Sequence, residues 1–385
     1  MRYVKPMYYD KFVCIADRCP ASCCQGWQIV IDDSSLDRYW NENGFFANRL
    51  KNSIDWESGT FCQYKGRCEF LNEKNLCDIQ ETLGEKALCD TCRNYPRHVE
   101  EFEGVREYSL SLSCPEAARL MLTEQSLVTL TEWETTEEET FEEGFDFLLY
   151  TQLLDARKIL WKILQDRETN MWIRLEACCL FSEKIQVSLD QDEYFGIDEW
   201  IRLHERDFRM DYKLAEKYRK EKGERNWEQK QKEIQVLKDL ERLDPFWNNL
   251  LEEAEDILYK KGKDQYEKLC TDFQIQYGYN SSWQEKWMIV AEQLAIFFLY
   301  TYFCGAVYDW EVNEKVYLMI FSVEWIQELT MCQWYKEGKI LNQDAVITMA
   351  YRFAREIEHS DQNLLCLEQW LKENYGNKQP DLRKE

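Results

Sequence analysis

The sequence predicts a mainly α protein, in which an N-terminal cysteine-rich α+β metal-binding domain packs on a C-terminal all-α helical domain. Ten of the sixteen cysteines lie between Cys14 and Cys114, and the apolar residues of the later chain recur at helical spacing. Glycine (14) and proline (6) are scarce and aromatic residues abundant, as is typical of helix-rich folded chains. A chain of 385 residues can form two domains, which we place at residues 1–130 and 131–385.

The predicted first domain consists of short elements joined by turns. Trp27, Ile29 and Ile31 stand at every second position, as in a short strand. Asp33 or Ser34 is the expected N-cap of the helix that follows. Residues 105–112 predict a strand, and Pro115 is expected to begin a second helix. The cysteines therefore fall on loops and element ends, where metal ligands are commonly found.

The predicted second domain opens with an acidic run at residues 131–144, which we interpret as the domain boundary, and long helices follow from about residue 141. Residues 145–164 repeat apolar side chains with the period of a helix. Residues 211–243 are densely charged with both signs, which predicts a solvated helix pair. Asn342 and Ser360 are the expected N-caps of two late helices. These features indicate a helical bundle with aromatic packing.

The most apolar segment runs from Met288 to Tyr308. A membrane-spanning helix needs about 20 apolar residues. Glu292 and Gln293 interrupt this one, so we expect a buried central helix and no membrane span. The N-terminus shows no apolar signal segment, from which we expect a cytoplasmic protein.

Charge and missing motifs exclude several functions. The net charge of −24 disfavours nucleic-acid binding through phosphates. No G-x-G pattern occurs, so neither a dinucleotide fingerprint nor the glycine-rich loop of a Rossmann-type methyltransferase is present. An acidic surface attracts a lysine-bearing partner, although it serves solubility equally well.

The cysteine spacing predicts a metal centre. Disulfides are disfavoured in a reducing cytosol. Only His98 of the three histidines lies in this region, so we expect thiolate ligands, which suit zinc and iron–sulfur clusters alike. The candidate ligands are Cys19, Cys23, Cys24, Cys68, Cys77, Cys89, Cys92 and Cys114. A zinc site or one [4Fe-4S] cluster takes four ligands, so about half of these thiols are expected to bind.

The motifs "CPASCCQGW", "CEF", "LCDI" and "CRNYPR" resemble a family of zinc- or iron-chelating domains. With the opening "YVKPMYYDKFVCIADRCPASCCQGW" and the long helical remainder, the chain resembles the flagellin lysine-N-methylase family. The similarity is dense over residues 3–120 and weak beyond. It implies an enzyme that moves methyl groups from S-adenosylmethionine to lysine amines of flagellin, with an iron–sulfur cluster as cofactor and zinc as the alternative.

Arg93 and Arg97 flank the C-x-x-C motif and are the expected cosubstrate-binding residues. They would hold the carboxylate of S-adenosylmethionine or neutralise a cluster, and pairing with nearby acids is the structural alternative. His98 is a half-buried structural histidine, a metal ligand or a base. Two other functions stay open: a non-enzymatic zinc- or iron-binding interaction module, and an iron–sulfur redox protein.

Overall fold

The computed structural model describes residues 1–137, 144–222, 227–277 and 284–376. Its strands are β1 Arg2–Pro6, β2 Ile54–Asp55, β3 Thr60–Phe61, β4 Gln63–Tyr64, β5 Arg67–Cys68, β6 Arg97–Phe102, β7 Val105–Leu110 and β8 Leu130–Glu134. The helices of the first third are α1 Asp33–Trp40, α2 Ala47–Asn52, α3 Asp78–Leu83, α4 Asp90–Asn94 and α5 Pro115–Leu122. The remaining helices are α6 Phe147–Leu164, α7 Met171–Asp190, α8 Tyr194–Arg206, α9 Tyr212–Lys222, α10 Trp227–Asp239, α11 Trp247–Ala254, α12 Lys263–Tyr277, α13 Gln284–Tyr302, α14 Ala306–Asp309, α15 Val312–Lys336, α16 Gln343–Glu358 and α17 Asp361–Leu371.

A four-stranded sheet joins the two ends of the N-terminal third in the order β6-β7-β1-β8. β1 runs parallel to β7 and antiparallel to β8, and β6 and β7 form an antiparallel hairpin. β8 occupies the first part of the acidic run that we interpreted as the start of the helical domain. β8 extends the N-terminal sheet into this run, because its backbone pairs with β1. Residues 138–143 of the run lie outside the described residues.

The buried side chains form two cores of unequal size. The large core contains apolar residues of helices α5 to α17 together with Tyr8, Phe12 and Phe102 from the N-terminal third. The small core takes its buried residues from Ile29 to Cys89. The sheet and α5 thus pack with the long helices, whereas the cysteine-rich loops surround a separate small core. The domain boundary near residue 130 stays a prediction.

The local predictions hold except in the first loops. Residues 27–31 form no strand, because the backbone there pairs only through isolated bridges, such as Val30 with Thr60. The N-cap of α1 is Asp32, whose carboxylate accepts the N–H of Ser35 at 2.9 Å. The predicted strand and helix on either side of Cys114 are confirmed as β7 and α5.

In the helical half, Asn342 and Ser360 cap α16 and α17 as predicted. The apolar stretch Trp287–Asp309 has the length and composition of a membrane-crossing helix, but 78% of its most apolar window is buried within the protein. α13 is therefore the buried central helix that the sequence predicts. Its interrupting Glu292 is 1% exposed and pairs with Arg174 at 3.0 Å, so this carboxylate is neutralised inside the bundle.

Candidate metal centre and its junction with the helical half

Five of the eight predicted metal ligands meet at the small core. Cys68 and Cys89 are buried in this core, and Cys24, Cys77 and Cys92 pack against it. The chain brings them together through short local structure: the N–H of Cys68 donates to the carbonyl oxygen of Cys24 at 2.9 Å. We call this set the small-core thiols. The fold gathers them across nearly 70 positions of sequence.

Three predicted ligands stand at the starts of helices. Cys77, Cys89 and Cys114 occupy the N-cap positions of α3, α4 and α5. The first turn of a helix presents free N–H groups and a positive dipole end, which stabilise a thiolate. Burial raises the pKa of Cys77 to about 11 and that of Cys114 to about 12, while first-turn N–H groups act in the opposite direction. These thiols would ionise with help from a metal cation.

In each of two thiol pairs, Cys23–Cys24 and Cys89–Cys92, a hydrogen bond joins the two sulfurs. The bond from Cys23 lowers the pKa of Cys24 to about 7, against the effect of burial. The bond from Cys92 likewise lowers the pKa of Cys89. The partner thiols, which donate these bonds, have raised pKa values. Each pair therefore contains one sulfur that is prepared to act as a thiolate ligand.

The other three predicted ligands lie beside the helical half. Cys114 belongs to the large core, and the charges of Cys19 and Cys14 add to the rise in its pKa that burial causes. The pKa of Cys23 is raised mainly by its hydrogen bond to Cys24 and by burial, and the charges of Cys114 and Cys14 add to the rise. We call Cys14, Cys19, Cys23 and Cys114 the junction thiols. The structure thus divides the predicted ligands into two neighbouring groups.

Among the residues described, no three His, Cys, Asp or Glu side chains are arranged to hold a metal ion. The chemistry of the small-core thiols nevertheless fits a thiolate-bound metal, since this set has sulfur donors only. Soft sulfur ligands suit zinc and iron–sulfur clusters, and disfavour magnesium and calcium. Which sulfurs bind stays a prediction.

Arg93 and Arg97 are held by local contacts. Arg93 pairs with Asp90 at 2.9 Å and donates to the carbonyl oxygen of Leu88 at 2.8 Å. Arg97 donates to the carbonyl oxygen of Phe12 at 3.4 Å and lies over its ring. The Arg93–Asp90 pair matches the structural alternative, whereas Arg97 makes no ion pair with a described residue. The cosubstrate-binding role of both arginines stays a prediction.

His98 lies on β6, on the surface side of the predicted site. Its Nε2 is 2.6 Å from the carboxylate of Glu100, and this bond raises the pKa of the imidazole. His98 is also well exposed. The structure places it in an exposed ion pair with Glu100.

The C-terminal end of α16 reaches into the cysteine-rich loops. Arg355, 7% exposed, donates to the carbonyl oxygens of Ala21 and Ser22, both at 2.9 Å, and of Ser113 at 3.3 Å. It pairs with no carboxylate in the described parts of the chain. Burial raises the pKa of Cys19, and the charge of Arg355 acts in the opposite direction. The guanidinium charge thus lies beside the junction thiols, and its hydrogen bonds connect their loops to the helical half.

Glu358, about one turn further along α16, accepts hydrogen bonds from the same loops. Its carboxylate oxygens accept the N–H groups of Leu112 at 3.1 Å and Ser113 at 2.8 Å. Burial raises its pKa, and these two bonds act against that rise. The loop that leads to Cys114 is therefore held through two backbone donors.

His359 ends α16 between two aromatic residues of the cysteine-rich region. Its ring lies 4.6 Å from the Trp27 ring and 5.7 Å from the Tyr95 ring. The buried Nε2 has no hydrogen-bond partner. Burial lowers the pKa of His359 to about 3, and the charge of Arg355 adds to this effect. The imidazole is therefore neutral at physiological pH, with a nitrogen left unsatisfied near the thiols.

Sequence reasoning did not identify Arg355, Glu358 or His359. They lie more than 230 residues from the thiols they approach, and nothing in "AREIEHS" distinguishes them from other helical residues. Only the packing of α16 against the cysteine-rich loops brings them to the site.

The buried histidine predicts a pH dependence of stability. His359 has a pKa near 6.5 in the unfolded chain and about 3 in the fold. Between these values the unfolded state binds more protons, so the free energy of unfolding falls as pH falls, by at most about 1.4 kcal/mol per pH unit. We expect His359→Gln to flatten this part of the curve in urea titrations at pH 7, 6 and 5. Equal slopes for both proteins would contradict the assignment.

Comparison with known proteins assigns the helical half to a described family. The family model of the FliB lysine N-methylase C-terminal domain matches residues 157–379. This match lies outside residues 3–120, where the resemblance read from the motifs is dense. It covers α16 and with it all three residues that reach the junction thiols.

Individual relatives match over shorter stretches. Lysine-N-methylases of Salmonella typhimurium and Salmonella choleraesuis are each 30% identical over 146 residues, which is 36% of this chain and 36% of each relative. The flagellar biosynthetic protein FliU of Salmonella muenchen is 30% identical over 137 residues, 33% of this chain and 81% of that protein. The matched region thus spans about a third of the two lysine-N-methylases. No solved structure is significantly similar to this chain.

Proposed function

Because this chain belongs to the FliB lysine N-methylase family, we propose that it is a protein-lysine N-methyltransferase that acts on flagellin with S-adenosylmethionine as methyl donor. The family match over residues 157–379 carries this proposal. The name of the FliU relative, a flagellar biosynthetic protein, supports flagellin as the substrate. The net charge of −24 supports a lysine-bearing partner.

Methyl transfer of this kind demands positioning above all. S-adenosylmethionine supplies a methyl group on a positively charged sulfur. The lysine ammonium first gives a proton to solvent. Its nitrogen then forms a bond to the methyl carbon while the carbon–sulfur bond breaks, which leaves a thioether and a methylammonium group. The protein must hold the uncharged amine in line with the carbon–sulfur bond and exclude water.

We further propose that four of the small-core thiols hold an iron–sulfur cluster, with zinc as the alternative metal. The small core has only twelve buried residues, too few to hold these loops together by burial alone. Bound metal would supply the missing stability. None of the sixteen cysteines, all of which lie in the described ranges, forms a disulfide, which fits metal ligands in a reducing cytoplasm. The metal would thereby fix the loops that contact Arg355 and Glu358.

Purified protein tests the activity directly. Anaerobically prepared enzyme is incubated with flagellin and S-adenosylmethionine, and flagellin peptides are analysed by mass spectrometry. We expect added methyl groups on lysine ε-amines. Unmodified flagellin, under conditions in which the Salmonella typhimurium lysine-N-methylase modifies its own substrate, would overturn the proposal and leave a metal-binding interaction module as the better description.

Cys92→Ser tests the metal centre. Cys92 lies in the first turn of α4 and shares a hydrogen bond with Cys89 at the N-cap, so its loss removes one sulfur from the small-core thiols. We expect loss of most bound iron and sulfide, or of zinc if zinc is the metal, and a lower melting temperature. Cys366→Ser is the matched control, because Cys366 is an exposed thiol on α17. Equal metal content in the two variants would remove Cys92 from the ligand set.

A further inference from the structure

A cleft in the helical half lies outside the thiol groups. It has a volume of about 460 Å³, within the range of small-molecule sites. It lies where α11, the C-terminal end of α15 and the N-terminal half of α16 meet. Its lining includes Phe246, Leu250, Asp344, Met349 and Arg352. All these positions fall inside the matched family region.

Arg352 presents unused donors to this cleft. Its Nε is buried and has no hydrogen-bond partner among the described residues, and the guanidinium forms only a long ion pair, with 3.8 Å between Nε and the Asp244 carboxylate. Its guanidinium lies 5.0 Å from the centre of the Phe246 ring. A buried donor without a partner costs stability, which an anionic ligand would recover. A carboxylate is the natural partner of this planar group.

Two acids that line the cleft lack an ion-pair partner among the described residues. Glu253 is paired with Lys336. Glu337 accepts the side-chain N–H of Gln333 at 2.7 Å but makes no ion pair, and Asp344 is exposed and likewise unpaired with any described residue. Arg352 and Asp344 are eight residues apart on α16, about 12 Å along its axis. The cleft therefore offers a separated cation and anion to a ligand that carries both charges.

The cleft also offers apolar surface between these charges. Phe246 is 56% exposed, so its ring is accessible for stacking. Leu250 and Met349 add aliphatic lining. An exposed aromatic ring beside hydrogen-bonding groups suits a heteroaromatic base.

We propose that this cleft binds S-adenosylmethionine, with the carboxylate of the amino-acid moiety on Arg352 and the adenosine moiety against Phe246. Asp344 faces the positive charges of the same ligand. This inference rests on the proposed methyltransferase function and locates its donor site. It assigns to Arg352 the role that the sequence suggested for Arg93 and Arg97.

The position of the cleft agrees with the rest of the site. Arg352 of α16 lines the cleft. About one turn further along the helix, Arg355 donates hydrogen bonds to the loops of the junction thiols. His359 is seven residues from Arg352, about 10 Å along the axis. The donor site and the junction thus lie along one rigid helix, so a methyl donor in the cleft is close to the cysteine-rich half.

Binding of two related nucleosides tests the assignment on intact, metal-loaded protein. S-adenosylhomocysteine carries the carboxylate, and 5′-methylthioadenosine lacks the amino-acid moiety. For Arg352→Gln we expect calorimetry to show about 10- to 100-fold weaker binding of S-adenosylhomocysteine, as expected for the loss of a charge-assisted hydrogen bond. Binding of 5′-methylthioadenosine is expected to change less than about threefold, since it makes no carboxylate contact.

Arg242→Gln is the matched control, because Arg242 is exposed and does not line the cleft. Unchanged affinity for S-adenosylhomocysteine in Arg352→Gln would overturn the inference, as would an equal loss for both nucleosides in a variant with a normal melting temperature. Phe246→Leu tests the adenosine contact separately. Weaker binding of both nucleosides is expected, and unchanged binding would mean that the adenosine does not contact Phe246.

The two proposals fail in different ways. If flagellin is methylated and Arg352→Gln binds S-adenosylhomocysteine normally, the function stands and the cleft is not the donor site. If the unaltered protein binds neither nucleoside and leaves flagellin unmodified, the methyltransferase proposal itself is overturned.

Discussion

Glu292→Gln is expected to lower the free energy of unfolding by about 3–5 kcal/mol, the usual cost of breaking a buried ion pair. The Glu292 carboxylate, 1% exposed, lies 3.0 Å from Arg174, which is fully buried, and 2.8 Å from Arg167. Glutamine keeps the shape of the side chain but leaves the Arg174 charge without a counter-ion in the interior of the bundle. Burial already lowers the pKa of Arg174, and Glu292 acts against that fall.

Urea titration of the purified variant measures this loss. Asp155→Asn is the matched control, because the Asp155–Lys158 pair lies on the surface of α6 at 2.8 Å with both side chains exposed. Such pairs contribute about 0–1 kcal/mol. If Glu292→Gln costs no more than Asp155→Asn, the buried pair does not stabilise α13 in the way its burial indicates.

Gly26→Ala is expected to destabilise the contact between the cysteine-rich loops and the helical half. Gly26 has φ +90, a conformation that side chains rarely adopt, and an added Cβ would overlap the carbonyl oxygen of Leu243. Strain of the backbone costs about 1–2 kcal/mol, and overpacking adds about 1–3 kcal/mol. The segment that holds Leu243 leads to Asp244, whose N–H donates to Glu356 of α16 at 2.7 Å.

Gly84→Ala separates these two costs. Gly84 has a similar φ of +85, but an added Cβ there meets no atom within 4 Å. Thermal unfolding should therefore show a loss for Gly84→Ala from backbone strain alone, and a clearly larger loss for Gly26→Ala. Equal losses would mean that Leu243 moves aside easily, and that the close approach contributes little to the junction.

Much of the helical half was predictable because its signals are local. The apolar period of residues 145–164 gives α6, and Asn342 and Ser360 cap their helices because a side-chain oxygen accepts a first-turn N–H. The strand predicted at residues 27–31 failed for the opposite reason. Alternation places Ile29 and Ile31 in the small core, but a strand also needs a continuous partner, which the loops around them do not provide.

The predicted metal ligands also show which features are local in sequence and which depend on tertiary packing. Cysteine spacing identified a thiol-rich region, since ligand clusters recur at short intervals in sequence. It did not separate the small-core thiols from the junction thiols, because that division depends on which core each loop packs against. Cys24 and Cys23 are adjacent in sequence, yet only Cys24 packs against the small core.

The sequence by itself therefore determined the helical character, the buried apolar helix, the caps and the presence of a thiol centre, all of which follow from composition and short-range periodicity. Only the tertiary structure decided that β8 closes the N-terminal sheet and that Arg355, Glu358 and His359 meet the cysteine loops. It also decided that Arg352 faces an open cleft with unused donors. The physical reason is that such contacts join residues far apart in sequence, and packing alone selects them.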